Sequence, residues 1–180
     1  MLALSLLVPL ALAADPLDAV DSRARDLLAR DPKGLGVGII LGAPTGVSLA
    51  YRAEGRTSLD GALAWSFDRA GISAHADVRY DISHQTTPDI PDTHFLLTLG
   101  VGPELRVGDP PGDGDDSNFD IRLRIPLTFS VYHEGFPLEG FVEWAPGLLL
   151  VPSSKPDPWR GAVGMRFYVP PPRKGPTTGA

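Results

Sequence analysis

The side chains best suited to binding a metal or moving protons near neutral pH are four histidines, His75, His84, His94 and His133. No pair has the HExxH spacing that puts two imidazoles on one helix face above a zinc ion, which excludes that class of protease. Ser73, His75 and Asp77 supply the types of a nucleophile, a base and an orienting acid. At every second position of a strand they share a face, but their Cα atoms are then about 7 Å apart in a row. Three groups strung along one strand orient each other poorly, so they read as polar lining and not as a triad. The stretch 108–120 is rich in carboxylates and could offer oxygen ligands to Ca²⁺. It lacks the closing bidentate Glu of an EF-hand, so a solvated surface loop is expected. With no cysteine in the chain, disulfides and thiolate metal sites are excluded. No catalytic residue, cofactor or metal site is expected.

The remaining chemistry is that of paired charges, and its placement depends on strands. Apolar and polar residues alternate with period two over long stretches. Between Ile121 and Val131 every odd position is apolar, and between Ile72 and Ile82 every even one is. The same pattern marks 95–107, 138–144 and 159–169, and three earlier segments, 35–42, 47–54 and 58–67, complete a set of eight strands. Turn-forming residues fill the joints: Pro44-Thr45-Gly46, Glu54-Gly55-Arg56, Asp68 to Gly71 and His133-Glu134-Gly135. Longer loops are expected at 83–93, 108–119 and 152–158. The uncharged run Gly34 to Tyr51 is long enough for a membrane helix, but Pro44 and five glycines make it two strands.

The polar face of these strands collects Arg52, Arg79, Arg106, Arg122, Arg124, Arg160 and Arg166. It also collects Glu54, Asp60, Asp77, Asp81, Glu104, Glu139 and Glu143. Seven positive charges thus meet seven negative ones, without a lysine, and the apolar face carries no charge. A soluble barrel that exposes its polar face to water has no need to balance it or to exclude lysine. A narrow lumen has both needs, because buried charges must pair and arginine grips carboxylates bidentately. Eight strands leave a lumen that side chains just fill. The expected fold is therefore all-β: an eight-stranded antiparallel up-and-down transmembrane β-barrel whose lumen is closed by those fourteen residues. Trp65, Phe67, Trp144, Trp159 and Phe167 fall near strand ends, as interfacial aromatic girdles do.

The domain organisation expected around the barrel at 35–169 has three parts. Residues 1–13 read as a signal peptide, apolar from Leu2 to Leu12 and ending in the small-x-small motif Ala11-Leu12-Ala13. Residues 14–34 read as a periplasmic segment with a short helix near 17–30, capped by Asp18. Residues 170–180 read as a disordered tail rich in Pro and Gly. The net charge of −6 excludes nucleic acid as a partner, since no basic patch exists to meet phosphates.

The run Leu35 to Gly46, then Ala62 to Phe67, His75-Ala76-Asp77, Gly100 to Arg106 and Gly161 to Val169, resembles the small eight-stranded bacterial outer-membrane proteins. These include the transmembrane domain of outer-membrane protein A, the outer-membrane protein X type and an uncharacterised subgroup of that shape. The resemblance covers about 35–169. It implies export, insertion into the outer membrane and periplasmic termini, and it implies no shared activity. The expected function is a structural or interaction role in the cell envelope, as a monomer in contact with outer-membrane lipid, with a protein or cation partner at 108–119. Two alternatives remain open: a soluble periplasmic barrel holding a small hydrophobic ligand, and a barrel enzyme acting on outer-membrane lipid.

Overall fold

The structure, a computed structural model, describes residues 33–42, 45–53, 55–66, 71–108, 118–133, 136–152, 154–158 and 160–169. Among them there is no helix; strands form a closed, eight-stranded antiparallel β-barrel. The strands are β1 (Gly34–Gly42), β2 (Thr45–Arg52), β3 (Thr57–Ser66), β4 (Gly71–Thr87), β5 (Ile90–Gly108), β6 (Phe119–Arg124), β7 (Leu127–His133), β8 (Phe136–Trp144), β9 (Gly147–Val151), β10 (Lys155–Asp157) and β11 (Gly161–Val169). Three of the eight barrel strands are interrupted, so that β6/β7, β8/β9 and β10/β11 each act as one. Strands next to each other in sequence pair antiparallel, and β11 closes the circle on β1.

Two of the interruptions are made by prolines, which have no N–H to give to a ladder. The backbone continues the ladder through them: Gly100 N–H donates to the Pro126 carbonyl at 2.8 Å and Ile125 N–H to the Pro146 carbonyl at 2.8 Å. The register sets the tilt. Paired residues run from Thr57 through Tyr80, Leu99, Leu127 and Trp144 to Gly161. Thr57 is level with the start of β1, and Gly161 adjoins Ala162, the partner of Gly42 at its end. One circuit thus climbs the length of β1, and this stagger inclines the strands to the barrel axis.

Side chains alternate between a buried interior and an exposed outside along nearly every strand. The outside is apolar, with Leu63 58% and Ile72 61% exposed. Inside, glycines make room for large neighbours. Gly36 is register-paired with Tyr168 and Gly164 with Phe141. In each pair the ring lies across the glycine, where a Cβ would overlap it. Phe141 packs with Ile40, Ala62 and Ala162 in a small apolar cluster, and the Arg166 guanidinium stacks on its ring at 4.1 Å.

The stretch 83–93 differs from its expected form. It is no loop: β4 and β5 run on as a hairpin closed by a turn at 88–89. A register shift at Asp81/Ser83 breaks the alternation there, which hides the strand. The strand expected at 138–144 continues as β9, and β10 occupies part of 152–158. The signal peptide, the helix near 17–30 and the tail at 170–180 lie outside the described residues.

Replacing Gly164 with Val should push Phe141 off its seat. The expected loss is about 1–3 kcal/mol, read as a lower urea midpoint by circular dichroism. An unchanged midpoint would show that the lumen has slack at this level.

Candidate functional site: a charged lumen

The barrel interior is where the chain concentrates its chemistry. Arg52 on β2, Asp60 on β3, and Asp77, Arg79 and Asp81 on β4 all point inward and are buried. So are Glu104 on β5, Arg122 and Arg124 on β6, Glu139 and Glu143 on β8, and Arg166 on β11. Arg106 and Arg160 are partly buried at the end of the barrel opposite the chain termini. Glu54 lies outside the described residues. The alternation of each strand is what aims these side chains at a common axis.

Most of these charges join in one chain of contacts. Arg52 meets Asp81 at 3.4 Å and Glu139 at 3.3 Å. Glu139 meets Arg166 at 3.5 Å and accepts a hydrogen bond from the Tyr168 hydroxyl at 2.8 Å. Arg166 pairs with Asp60 and donates to the Ser48 hydroxyl at 2.8 Å. Asp60 meets Arg79 at 3.4 Å. Arg79 continues to Asp77 at 3.7 Å and Glu143 at 2.5 Å, and donates to the Thr128 hydroxyl at 2.9 Å. Glu143 also pairs with Arg124, which meets Asp77 at 3.4 Å. Asp60 and Asp77 are register partners, two like charges directly opposite. Arg79, two residues along from Asp77, touches both carboxylates and so offsets a pairing that is otherwise unfavourable.

A second, smaller group sits at the mouth away from the termini. Arg160 meets Glu104 at 2.9 Å and Asp157 at 3.3 Å; Arg122 meets Glu104 at 3.6 Å and Asp157 at 2.7 Å. At the opposite mouth, His84 Nε2 and His94 Nδ1 are 2.7 Å apart, so one ring donates and the other accepts. His94 also packs against Tyr132, with ring centroids 6.0 Å apart. His133 Nδ1 lies 3.2 Å from the Thr93 hydroxyl.

Ser73, His75 and Asp77 face the lumen together on β4. His75 Nε2 is 3.8 Å from Asp77, longer than a hydrogen bond, and Asp77 is already engaged by Arg79 and Arg124. Its carboxylate is thus committed to guanidinium groups. Among the described residues no group of three or more His, Cys, Asp or Glu could hold a metal ion. Sequence reasoning missed Asp157, because it falls among the prolines of 152–158 and shows no alternating pattern there. It also missed the His84–His94 pair, which depends on the hairpin. No family model, curated protein or solved structure matches the chain.

Glu143 ties two buried arginines. Glu143→Gln should destabilise the barrel by about 3–5 kcal/mol, because it leaves Arg79 and Arg124 short of counter-charge. Chemical unfolding compared with Asp81→Asn, at the end of the chain of contacts, gives the measurement. Equal small losses in the two variants would show that the contacts act as separate pairs.

Proposed function

We propose that this protein is an integral β-barrel of a bacterial outer membrane, closed inside by its arginine–carboxylate pairs, with a structural or interaction role in the envelope and no catalytic one. The observation that carries the reading is the outer wall. Leu35, Val37, Ile39 and Leu41 on β1, Val47, Leu49 and Tyr51 on β2, Ile72, Val78, Tyr80 and Ile82 on β4, and Val163, Met165, Phe167 and Val169 on β11 are all exposed. No outward position within these strands carries a charge. A soluble monomer seldom exposes an apolar patch beyond a few hundred Å², whereas lipid requires such a wall around the whole circumference. The nine residues of β1 also fit the roughly 9–11 that a tilted strand needs to cross the hydrocarbon layer.

Aromatics support the same reading. Trp65 and Phe119 lie toward one end of the outer wall, and Tyr51, Tyr80 and Phe136 toward the other. Trp144 is outward as well, and its indole N–H donates to the Pro158 carbonyl at 3.0 Å. Of the girdle residues named from the sequence, Phe67 and Trp159 lie outside the described residues.

The orientation follows from the joints. The start of β1 and the end of β11 lie at one end of the barrel, and the strands that meet there follow each other closely in sequence: four residues separate β2 from β3, and two each separate β4 from β5 and β7 from β8. Short turns on the side of the termini are the periplasmic pattern of such barrels. The opposite end, where β1, β3 and β5 finish, would then face the exterior; of the acidic stretch 108–119, expected to meet a cation or a protein partner, residues 109–117 lie outside the described residues.

Fractionation of expressing cells tests the proposal. The protein should stay with the outer membrane through a carbonate wash and need detergent for release. Recovery in the soluble periplasmic fraction would instead support a ligand-holding soluble barrel. In planar bilayers the purified protein should give little steady conductance, and large stable porin-like steps would contradict a closed lumen.

A further inference from the structure

The ion pairs of the mouth differ from those deeper in the lumen. The carboxylates of Asp60, Asp77, Asp81, Glu139 and Glu143 have side chains no more than 4% exposed. Asp157 is 31% exposed, while its partners Arg122 and Arg160 are 7% and 15% exposed. The arginines are built into the wall, and the carboxylate is supplied from the solvent side by a strand of three residues that pairs with β9.

Two further features concern Arg122. Its stem lies against Gly147, a position where a Cβ would crowd the Arg122 Cγ and Cδ atoms. Its donors are also incompletely used. One oxygen of Asp157, Oδ2, serves Arg122 Nη2 and Arg160 Nε together. Among the described residues, Arg122 Nε and Nη1 are buried without a hydrogen-bond acceptor, and so is Arg106 Nη2 nearby; Nη1 has only the 3.6 Å contact to Glu104. Arg106 is register-paired with Asp120, on the strand that carries Arg122. A single planar carboxylate held by one oxygen leaves donors unmet that a tetrahedral oxyanion, with acceptors in several directions, would satisfy.

We propose that Arg122 and Arg160, with Arg106 beside them, form a phosphate-type oxyanion site at this mouth, and that Asp157 occupies it as an exchangeable internal surrogate. Among the described residues, withdrawing Asp157 leaves three guanidinium groups against Glu104 and Asp120, so the vacated position favours one negative charge. The phosphate can be free or carried on a lipid headgroup. The inference rests on the geometry of the mouth and holds whether or not the outer wall lies in lipid.

The test is a titration of the full chain, in a maltoside detergent free of phosphate, with inorganic phosphate. Binding is followed by calorimetry and by NMR shifts of the amides at 155–157. Asp157→Asn should tighten phosphate binding about tenfold and shift the same amides. Arg122→Gln in that background should abolish the gain, with unchanged spectral dispersion showing that the barrel is intact. Competition by nanodiscs containing phosphatidic acid, against neutral nanodiscs, assigns the site to a headgroup; phosphate binding without that competition assigns it to the free anion. Asp157→Asn binding phosphate no more tightly than the parent, or an Arg122→Gln variant retaining the gain, would overturn the proposal, with binding at titration concentrations then an adventitious ion only.

Discussion

The interaction on which the rest of the structure depends is the burial of arginine against carboxylate inside a narrow lumen. A buried charge without a partner costs several kcal/mol, and the cost falls only when the partner is close and the remaining donors are met. Here the partners come from different strands. Arg52 of β2 reaches Asp81 of β4 and Glu139 of β8; Arg79 of β4 reaches Asp60 of β3 and Glu143 of β8. Three of these contacts, Arg52 with Asp81 and Glu139 and Arg79 with Glu143, join strands that share no ladder and so fix the distance between them, whereas Arg79 with Asp60 joins neighbours. The backbone hydrogen bonds close the circle, and the charges set its bore and register. A strand slipped by one residue would turn its charges outward and its apolar residues inward.

Filling the lumen this way demands a particular division of space. Long side chains must cross the axis, and something must yield to them. The yielding positions are glycine and small residues on neighbouring strands. Tyr168 lies over Gly36, Phe141 over Gly164, and the Arg122 stem over Gly147. Ser48, Ala50, Ala62 and Ala64 are small buried residues of β2 and β3, and the Ser48 hydroxyl accepts a hydrogen bond from Arg166. Large and small inward residues are thus complementary, which gives the lumen the packing of a core although its chemistry is ionic.

Much of this was legible in the sequence, for physical reasons that can be named. Period-two alternation exposes a strand whenever its two faces meet different surroundings, and β2, β4, β6 and β11 do. The charges on one face point to a lumen because nothing else would balance them without lysine. Who pairs with whom was not legible, since contacts such as Arg166 with Ser48 join residues far apart in the chain. The outer part of the β4–β5 hairpin was hidden because Ser83, His84, Gln85, Thr86 and Thr87 are polar on both faces. Its form comes from pairing with β5, and not from a pattern of its own. The run Leu148-Leu149-Leu150 hid β9 in the opposite way: Leu149 is buried inside and its neighbours are exposed outside, yet all three are alike in type.

The proposed placement requires the apolar wall to meet lipid while the charged face is sealed from water. Because the chain has no cysteine, single cysteines carrying spin labels can be placed along β2 at Val47, Leu49 and Tyr51, and at the inward Ala50, in the protein reconstituted into vesicles. A barrel in lipid lets the three outward labels collide freely with oxygen dissolved in the membrane and little with a water-soluble nickel reagent, whereas the label at Ala50 is reached by neither. Outward labels that are fully open to the aqueous reagent would contradict it.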